Sequence, residues 1–315
     1  MRYKHNLLQQ LRGFCQAARA GSISKAAERL ALSQPSVSLQ IQALERALGV
    51  RLFERNGPHI RLTGDGETLW ELARPLVKGM DELADDFAQR RDSIPRGSVS
   101  VAAGGSTLQY ILPPTIERFV REFPRVDLRL HNVTGRAGLA LLRAGEVDVA
   151  VGPMLEAPTD ILFHPVVSYE PMLVTRPDHP LAARKRITLK DVARHPLILP
   201  PREQSTFRFV EMVFSEHSLA PDVRLEIGGY EVIKTYVKLG LGISIVMSHC
   251  LSGDEGLFTA PLRRYFRPRS YGLVLAKGRP LSTAAKRFIL SMCPDLEFVG
   301  SRLLAPSKTK RNRRG

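Results

Sequence analysis

The chain has 315 residues, 43% hydrophobic and 24% charged, which gives room for two or three folded units and a sizeable core. It contains no run of 18 or more apolar residues, so no membrane span is expected. Cys15, Cys250 and Cys293 lie far apart with no CxxC pair, so disulfides, a metal and a cofactor are not expected either. The net charge of +15 points to a polyanionic partner, for which nucleic acid is the usual identity.

The charge is unevenly spread. Residues 1–64 carry +7, residues 65–92 carry −4 and residues 93–315 carry +12. A basic head, an acidic middle and a basic body read as three units. The opening MRYKHNLLQQLRGF has no apolar stretch of the secretory kind, so a cytoplasmic location is expected.

In chain order, Leu7 to Ala20 predicts a helix with Leu8, Leu11, Phe14, Cys15 and Ala18 at 3–4 spacing, stopped by Gly21. Ser22 or Ser24 caps a short second helix that buries Ala26, Ala27 and Leu30. Ser33 caps a third helix, with Pro35 tolerated in its first turn and Gly49 as its stop. Its buried stripe is Val37, Ile41, Leu44 and Leu48. Two short helices joined by a tight turn form a helix-turn-helix. The strands VRLFER and HIRLT around Asn56-Gly57-Pro58 add a wing.

Capping explains Ser33 and Pro35, but it leaves Gln34, Ser36, Ser38 and Gln40 without a structural role. In a helix-turn-helix the second helix enters the major groove and its N-terminal residues meet base edges. Short polar side chains allow that approach, and Gln can bond adenine in bidentate fashion. The start of the helix can also meet a phosphate. Ser33, Gln34, Ser36, Ser38 and Gln40 are therefore the DNA-binding candidates of this helix.

Gly64 to about Arg91 is a long amphipathic helix. Leu69, Leu72, Ala73, Leu76, Val77, Met80, Leu83, Ala84 and Phe87 form its stripe, which is too long for the head to cover. A second subunit is the expected partner, and Pro75 is expected to kink the helix. The pattern breaks at Ser93-Ile94-Pro95-Arg96-Gly97.

Beyond the break, strands and helices alternate. GSVSVAAG, VDLRLHNV and VDVAVGP read as strands around helices at Leu112 to Glu122 and Ala137 to Ala144. This order predicts a parallel sheet. From Pro165 to Pro261 a second such unit follows. Its strands are MLVTRP, PLILP, VRLEIG and ISIVM, and its helices are Phe207 to His217 and Glu231 to Leu239. YGLVLAKG then crosses back as a strand, before a final helix at Thr283 to Met292. The fold class is α/β: a winged helix-turn-helix, a linker helix and a hinged two-lobed module whose ligand sits beyond the carboxyl ends of the strands.

From Phe14 to Gly66 the sequence follows the pattern F…A…GS-x-S-x-AA-x-x-L-x-x-SQP-S-VS-x-QI-x-x-LE-x-x-LG-x-x-LF-x-R…LT-x-x-G. That pattern resembles the head of LysR-type transcriptional regulators. LLRAGEVDVAVGP (141–153) and YEVIKTYVKLGLGISIV (230–246) resemble the family's effector domain.

The resemblance implies a regulator that binds double-stranded promoter DNA and a small-molecule effector. It implies a homo-oligomer, a dimer through the linker helix and a tetramer beyond it, with RNA polymerase as a further partner. It divides the chain into residues 1–63 for DNA binding, 64–92 as linker and dimerisation helix, and 93–304 as a periplasmic-binding-protein-like (type 2) effector domain. Lobe I spans about 97–164 and 268–300, lobe II about 165–267, and 305–315 is a basic disordered tail. It also implies contacts from Gln34, Pro35, Ser36, Ser38 and Gln40 and a backbone contact from Arg55 in the wing. Leu39 stands where many relatives carry a basic residue and can touch a thymine methyl.

Within the family, VIKTYVKLGLG and Gln109-Tyr110-Ile111-Leu112-Pro113-Pro114 look most like the CysB-like regulators of sulfur metabolism. Those relatives hold sulfate-like anions with hydroxyls at the start of the first effector-domain helix. Gly104-Gly105-Ser106-Thr107 occupies that place here. Ser106 and Thr107 keep hydroxyls, and glycine offers backbone N–H groups to an anion. Ser205-Thr206 precedes a helix of the other lobe. Gly105, Ser106, Thr107, Ser205 and Thr206 are thus the effector candidates, for a small anion or sulfur metabolite, or alternatively a carboxylate or aromatic acid. The competing explanation is that Ser106 and Ser205 only cap helices.

Other classes fit less well. HExxH, GxSxG and P-loop motifs are absent from the sequence. Gly240-Leu241-Gly242 lacks the third glycine of a dinucleotide fingerprint and lies between a helix and a strand in the wrong order. It reads as a helix stop, and an enzyme is not expected. A solute-binding protein would share the two-lobed body but not the winged head.

Overall fold

The computed structural model describes residues 6–56, 59–92, 97–299 and 302–303, without the side chains of 55, 56, 78, 82, 84–86, 88–92, 299, 302 and 303. The wing turn at Gly57-Pro58, the break at Ser93 to Arg96, the tail 305–315 and the Arg55 side chain lie outside the described residues. The chain divides into two compact units: Met1–Ile94 with Arg143–Glu146, and Pro95–Leu142 with Val147–Gly315.

In the first unit, α1 (Leu7–Ala20), α2 (Ile23–Leu30) and α3 (Gln34–Leu48) enclose Phe14, Ala17, Ala26, Ala27, Val37, Ile41 and Leu44. Ser22, rather than Ser24, caps α2 by accepting the Lys25 N–H. Leu48 is only partly buried. The antiparallel pair β1 (Phe53–Asn56) and β2 (His59–Leu62) forms the wing, with Phe53 opposite Leu62. Polar contacts fix the wing's base. Glu45 Oε1 accepts the Leu52 N–H at 2.8 Å. Thr63 Oγ1 donates to the Arg51 carbonyl at 2.6 Å and accepts the Gly66 N–H at 3.0 Å.

Gly66 sits so close to this seam that a Cβ there would lie 2.1 Å from the Leu52 carbonyl oxygen. The LT-x-x-G part of the sequence pattern thus has a steric origin.

Helix α4 (Gly64–Asp92) is one 29-residue element with Pro75 inside it. Its apolar stripe divides between two faces. Leu69, Trp70, Ala73 and Val77 pack into the head core, while Leu72, Leu76, Met80, Leu83 and Phe87 are exposed.

The second unit begins with β3 (Gly97–Ala103), a π-helical turn at Thr107–Ile111, α5 (Pro113–Glu122), β4 (Val126–Asn132), α6 (Gly135–Arg143), β5 (Val149–Pro153) and β6 (Ile161–Tyr169). The chain continues through β7 (Pro171–Thr175), α7 (Leu189–Val192), β8 (Leu197–Leu199), α8 (Ser205–Glu216), β9 (Val223–Glu226) and α9 (Tyr230–Lys238). It ends with β10 (Ser244–Met247), β11 (Phe258–Pro261), β12 (Arg269–Ala276) and α10 (Thr283–Met292).

The first lobe's sheet has the order β4-β3-β5-β12-β6. Strand β3 runs parallel to β4 and β5, but β12 is antiparallel to β5 and β6. The three strands expected to be parallel are so, and the sheet as a whole is mixed because β12 joins it. The reason is connectivity: the chain leaves this lobe along β6 and returns along β12, so these two strands run in opposite directions. In the second lobe β7 is antiparallel to β10 and β11, and β8 is parallel to β9. A parallel bridge between Leu197 and Ile243 ties these strand groups together. Phe119 and Phe288 fill one face of the first sheet, and Leu142 and Ile161 the other. Phe207, Phe214 and Ile245 centre the second lobe.

Candidate DNA-binding and effector sites

The start of α3 is built to leave polar groups outward. Ser33 is extended and its Oγ accepts the Ser36 N–H at 3.3 Å; the two hydroxyls lie 2.8 Å apart. Pro35 occupies the first turn, where its missing N–H has no helical partner to lose. Val37, Ile41 and Leu44 anchor one side in the core. On the other side Gln34 and Pro35 are exposed, Ser36 and Ser38 are half-buried, and Leu39 is 60% exposed. Gln40 differs from its neighbours. Its Oε1 is buried without a partner among the described residues and lies 2.5 Å from where a Cβ on Gly13 would be. Arg55 belongs to β1 opposite Ile60.

In the second unit the chain leaves β3 at Gly104-Gly105 and turns directly into helix. Ser106 already has helical backbone angles and makes no capping bond. Thr107 is buried, while Gly105 is exposed and Ser106 half-buried. In the other lobe Ser205 is the first residue of α8, and Gln204 before it makes no side-chain cap. Neither serine is explained as a helix cap. Thr206 is buried, with its hydroxyl 3.0 Å from Tyr230 Oη and accepting from Arg269 Nη1 at 3.2 Å.

The first turn of α9 links these places. Tyr230 meets Thr206, and the next residue, Glu231, accepts a hydrogen bond from Tyr110 in the π-helical turn of the other lobe. Tyr110 also packs edge-on against His249, which lies against Tyr169 and Tyr271 of the crossing strands. Lys234 binds Glu231 at 2.8 Å and Glu255 at 3.1 Å, and donates to the Cys250 carbonyl.

Burial sets the protonation states. It pushes the Tyr230 phenol up to about 12 and His249 down to about 4. Both are neutral near pH 7.

Tyr110, Tyr230 and Arg269 were not sequence candidates. Tyr230 follows Gly228-Gly229 and precedes the helix expected at Glu231 to Leu239. Arg269 belongs to the basic run RRYFRPRS, in which no local pattern sets it apart. Gly240-Leu241-Gly242 is accounted for by the backbone: Gly240 ends α9 at φ 76°, and a Cβ on Gly242 would lie 2.6 Å from the Pro196 carbonyl oxygen. No helix is long and apolar enough to cross a membrane among the described residues.

Comparison with known proteins agrees with this architecture. Residues 8–67 match the bacterial regulatory helix-turn-helix protein family, lysR type, and residues 93–292 match the LysR substrate binding domain. The transcriptional regulator CysB of Haemophilus influenzae is 31% identical over 255 residues, covering 78% of this chain and 77% of that one. The RuBisCO operon transcriptional regulator of Allochromatium vinosum is 30% identical over 294 residues, covering 91% and 96%. A full-length OxyR variant from Pseudomonas aeruginosa superposes with a TM-score of 0.71 at 23% identity, covering 90% and 97%, a likeness of fold. With a LysR-type head and a LysR-type effector-binding domain in a single chain, this protein belongs to the LysR family of DNA-binding transcriptional regulators.

Proposed function

We propose that Ser33, Gln34, Pro35, Ser36, Ser38 and Gln40 at the start of α3 read an operator in the major groove, with Arg55 of the wing on the phosphate backbone. Residues 1–63 carry this task. The observation that supports it is the exposed side of α3, with Gln34, Pro35 and Leu39 opposite the buried Val37, Ile41 and Leu44. Gln34 has the reach for an adenine edge, and Leu39 the apolar surface for a thymine methyl. Gln40 acts through its amide nitrogen or through its packing on Gly13.

The second element of the reading is a homodimer through residues 64–92, assembled further into a tetramer on cytoplasmic promoter DNA, where RNA polymerase is engaged. Leu72, Leu76, Met80, Leu83 and Phe87 support it, because a 3–4 spaced apolar stripe left in water fits a second copy of the helix. The third element is an effector held by residues 93–304, with lobe I at about 97–164 and 268–300 and lobe II at about 165–267. Gly105, Ser106, Thr107, Ser205 and Thr206 line its site, and a small anion or sulfur metabolite is its class. Support comes from the two uncapped helix starts that carry hydroxyls. Regulation, rather than catalysis, is the task.

Selection of duplexes from a random pool with the full chain tests the DNA reading. The preferred site should contain two related half-sites. Gln34→Ala should lose about 1–3 kcal/mol of discrimination against random DNA while keeping the same dependence on salt. Unchanged discrimination contradicts the assignment of α3.

A further inference from the structure

Arg269 is a buried charge whose binding edge has no partner among the described residues. It opens the crossing strand β12 and is 3% exposed. Nη1 donates to Thr206 Oγ1, while Nε and Nη2 are buried without a hydrogen-bond partner among the described residues. Those two nitrogens lie along one edge of the guanidinium, the edge that takes two oxygens of one oxyanion side by side. The Phe209 ring lies 5.3 Å from the guanidinium carbon and covers a face, not that edge.

The titratable and charged groups that face Arg269 are the phenols of Tyr230 and Tyr271 and a second cation, Arg208. None of these supplies a negative charge at neutral pH, because burial raises both phenols above their ordinary value. Guanidinium holds its proton even when buried. A buried, unpaired cation is a costly feature for packing alone, since an apolar side chain of similar length would fill the space without that cost. Thr206 and Tyr230 bring two hydroxyls to the same place, and the 12-residue helix α8 begins there with no side-chain cap, so its N–H groups and dipole favour negative charge.

We propose that the Nε–Nη2 edge of Arg269, the hydroxyls of Thr206 and Tyr230 and the first turn of α8 bind a small oxyanion group of the effector, either a carboxylate or a sulfur oxyanion. This assignment rests on the anion-effector reading above and supplies its missing countercharge. Arg269 pairs with Tyr169, where β12 and β6 pass between the lobes.

The experiment is a thermal melt of the full chain with sulfate, thiosulfate, acetate or benzoate, each against chloride at equal ionic strength. Wild type, Arg269→Met and Arg269→Lys are compared. A ligand that binds only the folded chain raises its midpoint. Wild type should respond to one arm, Arg269→Met should need at least tenfold more of that anion, and Arg269→Lys should fall between them. Response to the sulfate and thiosulfate arm identifies a sulfur oxyanion; response to acetate or benzoate identifies a carboxylate. Without ligand, Arg269→Met should melt at or above wild type, because it removes an unpaired buried charge.

Equal responses in wild type and Arg269→Met overturn the role of Arg269 and leave the anion-effector reading standing. A wild type that responds to no arm overturns both. An Arg269→Met chain that melts well below wild type without ligand makes Arg269 a packing residue and overturns the assignment.

Discussion

The start of α3 and the start of α8 both gather polar groups, but in opposite settings. At α3 the groups are Gln34, Ser36 and Ser38, exposed or half-buried on the surface of the head. Water satisfies them, and they cost the fold almost nothing. At α8 the groups are Thr206, Tyr230 and Arg269, all at least nine-tenths buried. There each polar atom must be bonded within the protein or carry a desolvation cost. A surface that reads DNA can wait in water with its donors free. A pocket that selects a small molecule must be dry, so its readiness to bind appears as a buried donor without a partner.

The difference can be broken or sharpened by substitution. The largest effect is expected at Gly66, where a Cβ meets the Leu52 carbonyl oxygen. Gly66→Ala should cost the head about 3 kcal/mol by overpacking. Specific DNA binding should fall with it, while the ligand response of the second unit is retained. Calorimetry and duplex binding check this; an unchanged melt refutes the close approach.

His249 tests the dry interior of the second unit. Above pH 6.5 the ring is neutral in both the folded and the unfolded chain. Between pH 6.5 and about 4 only the unfolded chain takes the proton. Stability should therefore decline as pH falls through that window, by at most roughly 3 kcal/mol. His249→Gln should flatten that decline. Melting midpoints at pH 7 and pH 5 measure it, and equal pH dependence in both proteins contradicts the burial argument.

The paired substitutions Thr206→Val and Ser36→Ala address the comparison head-on. Thr206→Val strands Tyr230 and Arg269 and should cost about 1–3 kcal/mol. Ser36→Ala, on the exposed side, should stay within about 0.5 kcal/mol. Equal costs would erase the distinction between the two sites. The smallest effect on stability is expected from deleting the basic residues Lys308 to Arg314. That should leave the melt alone and weaken binding evenly across DNA sequences; a change in sequence preference refutes it.

These two sites also differ in how far the sequence revealed them. The α3 start is local: cap, proline, polar face and apolar stripe all fall within sixteen residues, and Ser33, Val37, Ile41 and Leu44 take up the expected roles. The α8 cluster is assembled from residues 206, 230 and 269, which no local pattern connects. Only the hydroxyl at Thr206 could be anticipated.

The strands follow the same logic. β3 and β5 show short apolar stretches and β4 an apolar–polar alternation, so all three were legible. β6 was missed because Pro165 argues against a strand. Its register against β12 shifts between Tyr271 and Gly272, and Pro165 lies opposite Gly272. A bulge there tolerates the proline, and a Cβ on Gly272 would lie 2.0 Å from the His164 carbonyl oxygen. The split of the α4 stripe was hidden for a related reason. Periodicity marks Leu72 and Ala73 alike as apolar, and only packing decides that Ala73 faces the core while Leu72 faces water.

The central claim is that the two hydroxyl-bearing helix starts of the second unit hold the effector. The most direct measurement is the melting midpoint of the full chain against sulfate, thiosulfate, O-acetylserine, simple carboxylates and aromatic acids, for wild type and Ser106→Ala. A small anion or sulfur compound should raise the wild-type midpoint, and Ser106→Ala should abolish the rise without lowering the ligand-free midpoint. A rise that survives in Ser106→Ala, or the absence of any rise across the panel, would contradict it.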